Sequence, residues 1–528
     1  MKKEKSIMGN YRKMIILLSL SILLVISGCG KNNTASNNQA ADNSQGTQSS
    51  SEPKQGGDLI FGYDTDISNF DPILGNSGND HALLYPVYDT LVNYNSNLEA
   101  QPGLAESWET PDEKTILLHL RKGVTFHDGT AFNAEAVKFN LDRVNSEQSN
   151  VSDISNVESV EVVDESTVKL NLKQPDSSIL LALSDRSGMM VSPTAVEKLG
   201  ADFAQNPVGA GPFKFAKWVH NGEIKFEKNE NYWQKGLPYL DTITAKIMPD
   251  ENTRLNSLKS GQLSFYWNVS PNNVQVLKKD PNIVLDSKMR VFVHNIYINT
   301  KLAPFDKKEV RQAFQYAIDR KAIVDALYYG QGEPATQAFP KDYWAYNPDL
   351  KLEYNPEKSK ELLKSAGLDS VSFDMVVPTV PEWQRMGEAI KGQAKKAGIE
   401  INIQTMEMNK GNSLYFNEKQ IPANLTAWTG RPDPQQTVNL FFSGNGFYNT
   451  GGESTPEKEE LINKAAASYD QKERAELYGK INEVAIYDEA MTIPLVFTPV
   501  TAAMTPQVKG FEGTLLGKPK ISFLWLDK

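Results

Sequence analysis

The segment Thr426-Ala427-Trp428-Thr429-Gly430-Arg431-Pro432-Asp433-Pro434 brings an aromatic ring, a cation and an anion into a short stretch rich in Gly and Pro. That mixture suits the wall of a ligand pocket, which joins apolar surface to a few placed charges. An Arg431–Asp433 surface ion pair in a turn accounts for the same residues, and composition leaves both readings open. Catalytic chemistry has less support. No GxSxG, HExxH or P-loop motif is present. The five histidines, His81, His119, His127, His220 and His294, show no metal-ligand spacing on an evident helix. Asp64 and Asp66 resemble a carboxylate pair, but 65 acidic residues make such pairs common by chance.

Strands and helices must position that loop. Asp58–Tyr63, Thr115–Leu120 and Thr167–Leu172 read as short strands, the last with apolar residues at alternate positions. Apolar spacing from Val310 to Leu327 predicts one helix over Lys307–Tyr329, with Asp306 and Glu309 as its capping pair and Gly330 at its end. A second helix begins with Asn355 as N-cap and Pro356 at the first position, and stops at Gly367. Further helices are expected over 381–397 and 458–486, and a strand over 399–403. Met491–Val496 also reads as a strand, where Pro494 requires an edge or a bulge.

The chain has 528 residues and a formal charge of −10, enough material for two or three domains. An acidic chain is poorly suited to nucleic acid, whose binding rests on Lys and Arg. The single cysteine, Cys29, rules out an internal disulfide or a multi-Cys zinc site. It ends an export-like segment: basic residues at 2, 3, 5, 12 and 13, an apolar run over Met14–Ile26, then Ser27 and Gly28. Ile26-Ser27-Gly28-Cys29 resembles the lipobox of bacterial lipoproteins, which implies lipidation of Cys29 and anchoring at the outer face of the cell membrane. Residues 30–56 contain no Val, Ile, Leu, Met or aromatic residue and read as a disordered tether. Cleavage after residue 28 removes five basic residues and one acidic residue, which takes the charge from −10 to −14.

Several ordered blocks then carry a resemblance over nearly all of the remaining chain. They are Leu104-Ala105-Glu106-Ser107-Trp108 with Leu118–Thr130 and Phe132–Val137, then Val208–Phe213, Asn231-Tyr232-Trp233, Val310–Arg320 and Glu361–Gly367. Together they resemble the family 5 extracellular solute-binding proteins, the dipeptide, oligopeptide and nickel-binding group. One departure is Ser264, where the family usually has an acidic residue. The resemblance implies an α/β, two-lobed periplasmic-binding-protein fold (type II, cluster C) with an additional small domain in the N-terminal lobe. The expected boundaries are 1–28 for the signal peptide and 29–56 for the tether. Lobe I takes 57–93, 210–294 and 501–528, the small domain 94–209, and lobe II 295–500.

The resemblance also implies site residues. In dipeptide-binding relatives an aspartate after a Trp-Thr-Gly loop pairs with the peptide ammonium, and Asp433 fits that place, although Arg431 and the loop length depart from the pattern. An arginine opening a helix binds the peptide carboxylate there, and Arg385 in Gln384–Ile390 fits. Trp428 and Thr429 complete the expected set. Arg431 adds a cation that suits extra ligand carboxylates, as in glutathione, and Ser184–Pro193 resembles the glutathione-binding branch. The expected protein is a lipid-anchored binder, not an enzyme, without metal or cofactor. It is a monomer that delivers short peptides to an ABC permease and its ATPase subunits. Two alternatives stand beside it: nickel-chelate import, disfavoured because the loop lacks histidine, and a surface peptide receptor without transport.

Overall fold

Alternation of side chains builds the strands. Val168, Leu170 and Leu172 are buried, while the residues between them are half-exposed, so one face of Thr167–Leu172 meets a core. This strand joins Ala105–Asp112, Thr115–Leu120 and Val157–Asp164 in a four-stranded antiparallel sheet. The helix Ala134–Val144 covers it, with Asn133 as N-cap accepting from the Ala136 N–H at 3.0 Å. The computed structural model describes residues 52–75 and 78–528, and the export segment, Cys29 and most of the expected tether lie outside them.

An eleven-stranded mixed sheet runs through the rest of the chain. Its first half holds Phe213–Val219, Glu223–Lys228, Thr242–Ile247, Asp58–Tyr63 and Phe265–Trp267. Its second half holds Ala423–Trp428, Val371–Pro378 and Ile399–Met406. Two long antiparallel strands, Val284–Ile298 and Thr492–Met504, cross from one half to the other. They pair from Val284↔Met504 to Met289↔Pro499, lose register over 290–292, and resume at Val293↔Phe497. The expected lobe boundaries at 294/295 and 500/501 fall inside these two hinge strands. Pro494 sits in mid-sheet beside a second register shift between His294 and Asn295, which accommodates a residue with no N–H to donate.

Each half has its own core. Leu59, Phe61, Phe226 and Phe265 centre the first, and Ile296, Phe314, Phe373 and Ile390 the second. A third cluster fills the space between them, where Trp428, Phe441 and Tyr478 pack with Tyr94, Leu181 and Leu515. Each such side chain contributes roughly 1.5–3 kcal/mol by leaving water.

Two long helices expected from the sequence are broken. Lys307–Tyr329 is two helices, Lys308–Tyr316 and Arg320–Tyr328, and the N-cap position of the first is Lys307, with no side-chain cap. Asp319 caps the second by accepting from the Ala322 N–H at 2.9 Å. Arg320 is buried and donates to the carbonyls of Pro494 and Gln315 at 2.7 and 3.1 Å. Both pieces bury apolar faces against one core, so the periodicity survives a break that it does not announce. Lys458–Ile486 divides in the same way into Pro456–Ala467 and Gln471–Asn482, with Asp470 capping the second. The expected tether also ends early. Lys54 forms an ion pair with Asp527 at 2.5 Å, and the Gly56 N–H donates to the Tyr239 carbonyl at 2.7 Å.

Candidate ligand-binding site

The strand Ala423–Trp428 ends at the loop singled out above. Gly430 has φ +82°, and a Cβ there would lie 2.2 Å from Val291 Cγ2. Only glycine lets the loop press this closely against the hinge bulge. Trp428 is buried, donates from its indole N–H to Thr437 Oγ1 at 3.2 Å, and carries the Arg431 guanidinium 4.9 Å above its ring. Arg431 Nε reaches across to Asp153 Oδ1 at 3.2 Å, which ties this loop to the segment between the helix Ala134–Val144 and the strand Val157–Asp164.

Asp433 points elsewhere, which corrects the expectation that it meets a ligand ammonium. It is 1% exposed and does not line the cavity described below. Its carboxylate caps the helix Pro434–Phe442 in a capping box with Gln436 and forms an ion pair with Arg474 at 2.5 Å. Arg474 donates in turn to Tyr478 Oη at 2.8 Å. The anion is spent on a helix cap and an internal ion pair. Nor is Arg385 part of the cavity. It is exposed on the helix Pro381–Lys396, while the half-exposed Glu382 of the same helix accepts from the Tyr328 hydroxyl at 2.6 Å.

The structure brings together a different set. Trp428, Thr429, Gly430 and Arg431 form one wall of a cavity of about 320 Å³, with Tyr448 beside them. Trp267, His81, Asp185, Arg186 and the stretch Leu516–Lys518 line the same cavity. Asn150–Asp153, and Arg290 and Phe292 from the segment where the two long strands lose register, complete the lining. Four cations (Arg186, Arg290, Arg431 and Lys518) thus face two carboxylates (Asp153 and Asp185). In a chain of charge −10 this is a local reversal of sign.

Most of these charges are held in pairs. Arg186 bonds Asp80 at 2.9 Å, with both side chains buried. Lys518 Nζ lies 2.5 Å from Asp185 Oδ2 and 2.9 Å from His81 Nε2, which also contacts Asp185. Burial would raise the Asp185 carboxyl, but His81 and Lys518 outweigh it and hold it well below the usual carboxylate range. Burial lowers His81 to about 4. A histidine therefore does line the cavity, from a segment far from the loop, with its Nε2 already engaged. Among the described residues no group of three His, Cys, Asp or Glu side chains is placed to hold a metal ion.

Sequence reasoning missed Arg290, Asp153 and Lys518, and it left open whether Trp108, Trp267 or Trp383 lines a pocket; of these the cavity takes Trp267. Arg290 left one signal: it is a cation, two residues after Lys288, at the start of the apolar run Val291-Phe292-Val293. Asp185 and Arg186 were legible only through the Ser184–Pro193 resemblance.

Comparison with known proteins agrees with this architecture. The description "bacterial extracellular solute-binding proteins, family 5 (middle)" matches residues 99–449. The glutathione-binding protein GsiB of Shigella flexneri is 30% identical over 472 residues, covering 86% of this chain and 91% of that protein. HbpA2 from Haemophilus parasuis superposes with a TM-score of 0.79 at 28% identity, covering 89% of this chain and 100% of that one. The periplasmic binding protein DppA from Helicobacter pylori, solved with the peptide STSA, gives a TM-score of 0.77 at 27% identity, covering 90% and 99%.

Proposed function

The chain belongs to the bacterial extracellular solute-binding proteins of family 5, and from that premise we propose that it captures short, glutathione-like peptides for an ABC importer. Its fold is the two-lobed periplasmic-binding-protein fold of type II, cluster C. The ligand sits between the lobes, and closure about the two hinge strands encloses it. The closed form docks on a permease whose separate ATPase subunits drive transport. Cys29, lipidated after cleavage of the export segment, holds the protein at the outer face of the membrane, where it acts as a monomer and not as an enzyme. Among the described residues no helix is long and apolar enough to cross a membrane.

One observation carries the reading: the interlobe cavity joins aromatic walls to both signs of charge, with cations in excess. A zwitterion leaving water needs an anion for its ammonium and a cation for its carboxylate. Asp153 and Asp185 are the cavity's two anions. Trp267, Trp428, Phe292 and Tyr448 supply apolar surface, and the cation excess favours a peptide with a second carboxylate. The relatives named for glutathione support that choice.

The test is a thermal-shift screen of the soluble chain from Pro53 after stripping co-purified ligand. The panel holds di- to pentapeptides, glutathione, nickel with histidine, and simple sugars. A ligand at about 100 times its Kd adds about 2.7 kcal/mol. Stabilisation by glutathione or an acidic short peptide is expected. A response to nickel with histidine alone, or to no peptide, contradicts the reading.

A further inference from the structure

Arg290 stands apart from the other cations of the cavity. Arg186, Arg431 and Lys518 each have a carboxylate partner, in Asp80, Asp153 and Asp185. Arg290 forms no ion pair among the described residues. The carboxylate on the helix behind it, Glu382, is taken by the Tyr328 hydroxyl at 2.6 Å and lies 3.8 Å from His294. Glu382 attracts the guanidinium without reaching ion-pair distance, so the desolvation of this half-buried side chain is only partly offset. Burial accordingly pulls the Arg290 guanidinium down to about 10.

The side chain is nonetheless held in place. Its Nε donates to the Thr498 carbonyl at 3.3 Å, where the two hinge strands have lost register. Its guanidinium carbon lies 4.2 Å over the Phe292 ring. Gly517 passes so close that a Cβ there would sit 2.8 Å from Arg290 Cδ. Backbone, ring and glycine fix the stem, and the terminal nitrogens carry no hydrogen bond among the described residues. Such a fixed fork suits two parallel bonds to a planar carboxylate.

We propose that Arg290 is the anchor for a ligand carboxylate, and that it makes the cavity selective for short peptides of net negative charge. This rests on the peptide-binding reading above. The anchor sits at the hinge bulge, so the ligand completes an ion pair at the point where the strands between the lobes are least tied together. Binding and closure are thereby coupled through one residue.

The experiment measures affinity by calorimetry for wild type, Arg290→Gln and Arg290→Lys. The probes are glutathione, its glycyl ethyl ester, and the analogue with 4-aminobutyrate in place of the γ-glutamyl residue. The Gln variant should bind glutathione about 100-fold more weakly or worse. On one of the two analogues, which lacks the anchored carboxylate, it should lose almost nothing relative to wild type. The Lys variant should recover part of the loss. The melting temperature of the free Gln variant should equal or exceed that of wild type, because a charge with no ion-pair partner among the described residues is gone. Equal losses on all three probes, or no loss on glutathione, overturn the proposal. If wild type binds none of these peptides, the functional reading falls and succinate decides the anchor. A succinate-dependent rise in melting temperature that Arg290→Gln abolishes upholds it, and identical responses overturn it.

Discussion

The Trp428–Pro434 loop and the 290–292 hinge bulge touch each other through Gly430 and Val291, yet they treat charge in opposite ways. The loop's aspartate looks available in the sequence but is consumed by a helix N-terminus and by Arg474. The bulge's arginine sits beside the apolar run Val291-Phe292-Val293 and looks structural, but it lines the cavity with no ion pair among the described residues. Whether a charge serves the fold or a ligand depends on its partner. That partner is often hundreds of residues away: 278 residues separate Arg431 from Asp153.

Breaking the loop's internal pair should have the largest effect. Asp433→Ala strands a buried Arg474 and removes a helix cap, so it should cost about 3–5 kcal/mol in denaturant unfolding. Glutathione affinity of the folded fraction should change much less. A free protein of wild-type stability that has lost binding would restore Asp433 to the ligand and erase the contrast with Arg290.

A half-buried group that stays neutral sharpens the comparison. The His127 ring donates from Nε2 to the Gly211 carbonyl at 2.9 Å and accepts from the Gly209 N–H at 3.3 Å. This arrangement fixes the neutral tautomer, and burial lowers the group to about 4. The unfolded chain therefore binds a proton below about 6.5 that the folded chain refuses, and stability falls as pH drops from there toward 4. The slope from this residue should approach about 1.4 kcal/mol per pH unit. His127→Asn should remove that share of the slope between pH 6.5 and 4.5; an unchanged slope refutes the assignment.

Arg431 falls between the two cases, since it is paired with Asp153 but part-exposed. Arg431→Ala should weaken glutathione binding about tenfold and alter free-protein stability by less than about 1 kcal/mol. An effect on affinity equal to that of Arg290→Gln would make the two arginines interchangeable. The smallest effect belongs to Arg385, exposed and outside the cavity. Arg385→Ala should leave affinity within about twofold, and abolished binding would show that the cleft reaches that helix.

Much of the fold was legible because its signals are local. The alternation at Val168, Leu170 and Leu172, the Asn355-Pro356 helix start and the Gly367 stop all depend on neighbours along the chain. The break at Asp319 was hidden because both helices keep their apolar faces in register across it. The hinge was hidden too, since nothing in 284–298 or 492–504 states where two strands lose pairing. In the site, Trp428, Thr429 and Arg431 were legible as a loop of mixed chemistry. Arg290, Trp267 and Lys518 reach the same cavity from three distant segments, and only tertiary structure assembles them.

The most direct measurement of the central claim is a calorimetric titration of ligand-free wild type with glutathione and with trialanine, a neutral peptide of the same residue count. An excess of cations, with Arg290 in no ion pair among the described residues, predicts that glutathione binds more tightly by at least about tenfold, or about 1.4 kcal/mol. Equal or tighter binding of trialanine would contradict the account.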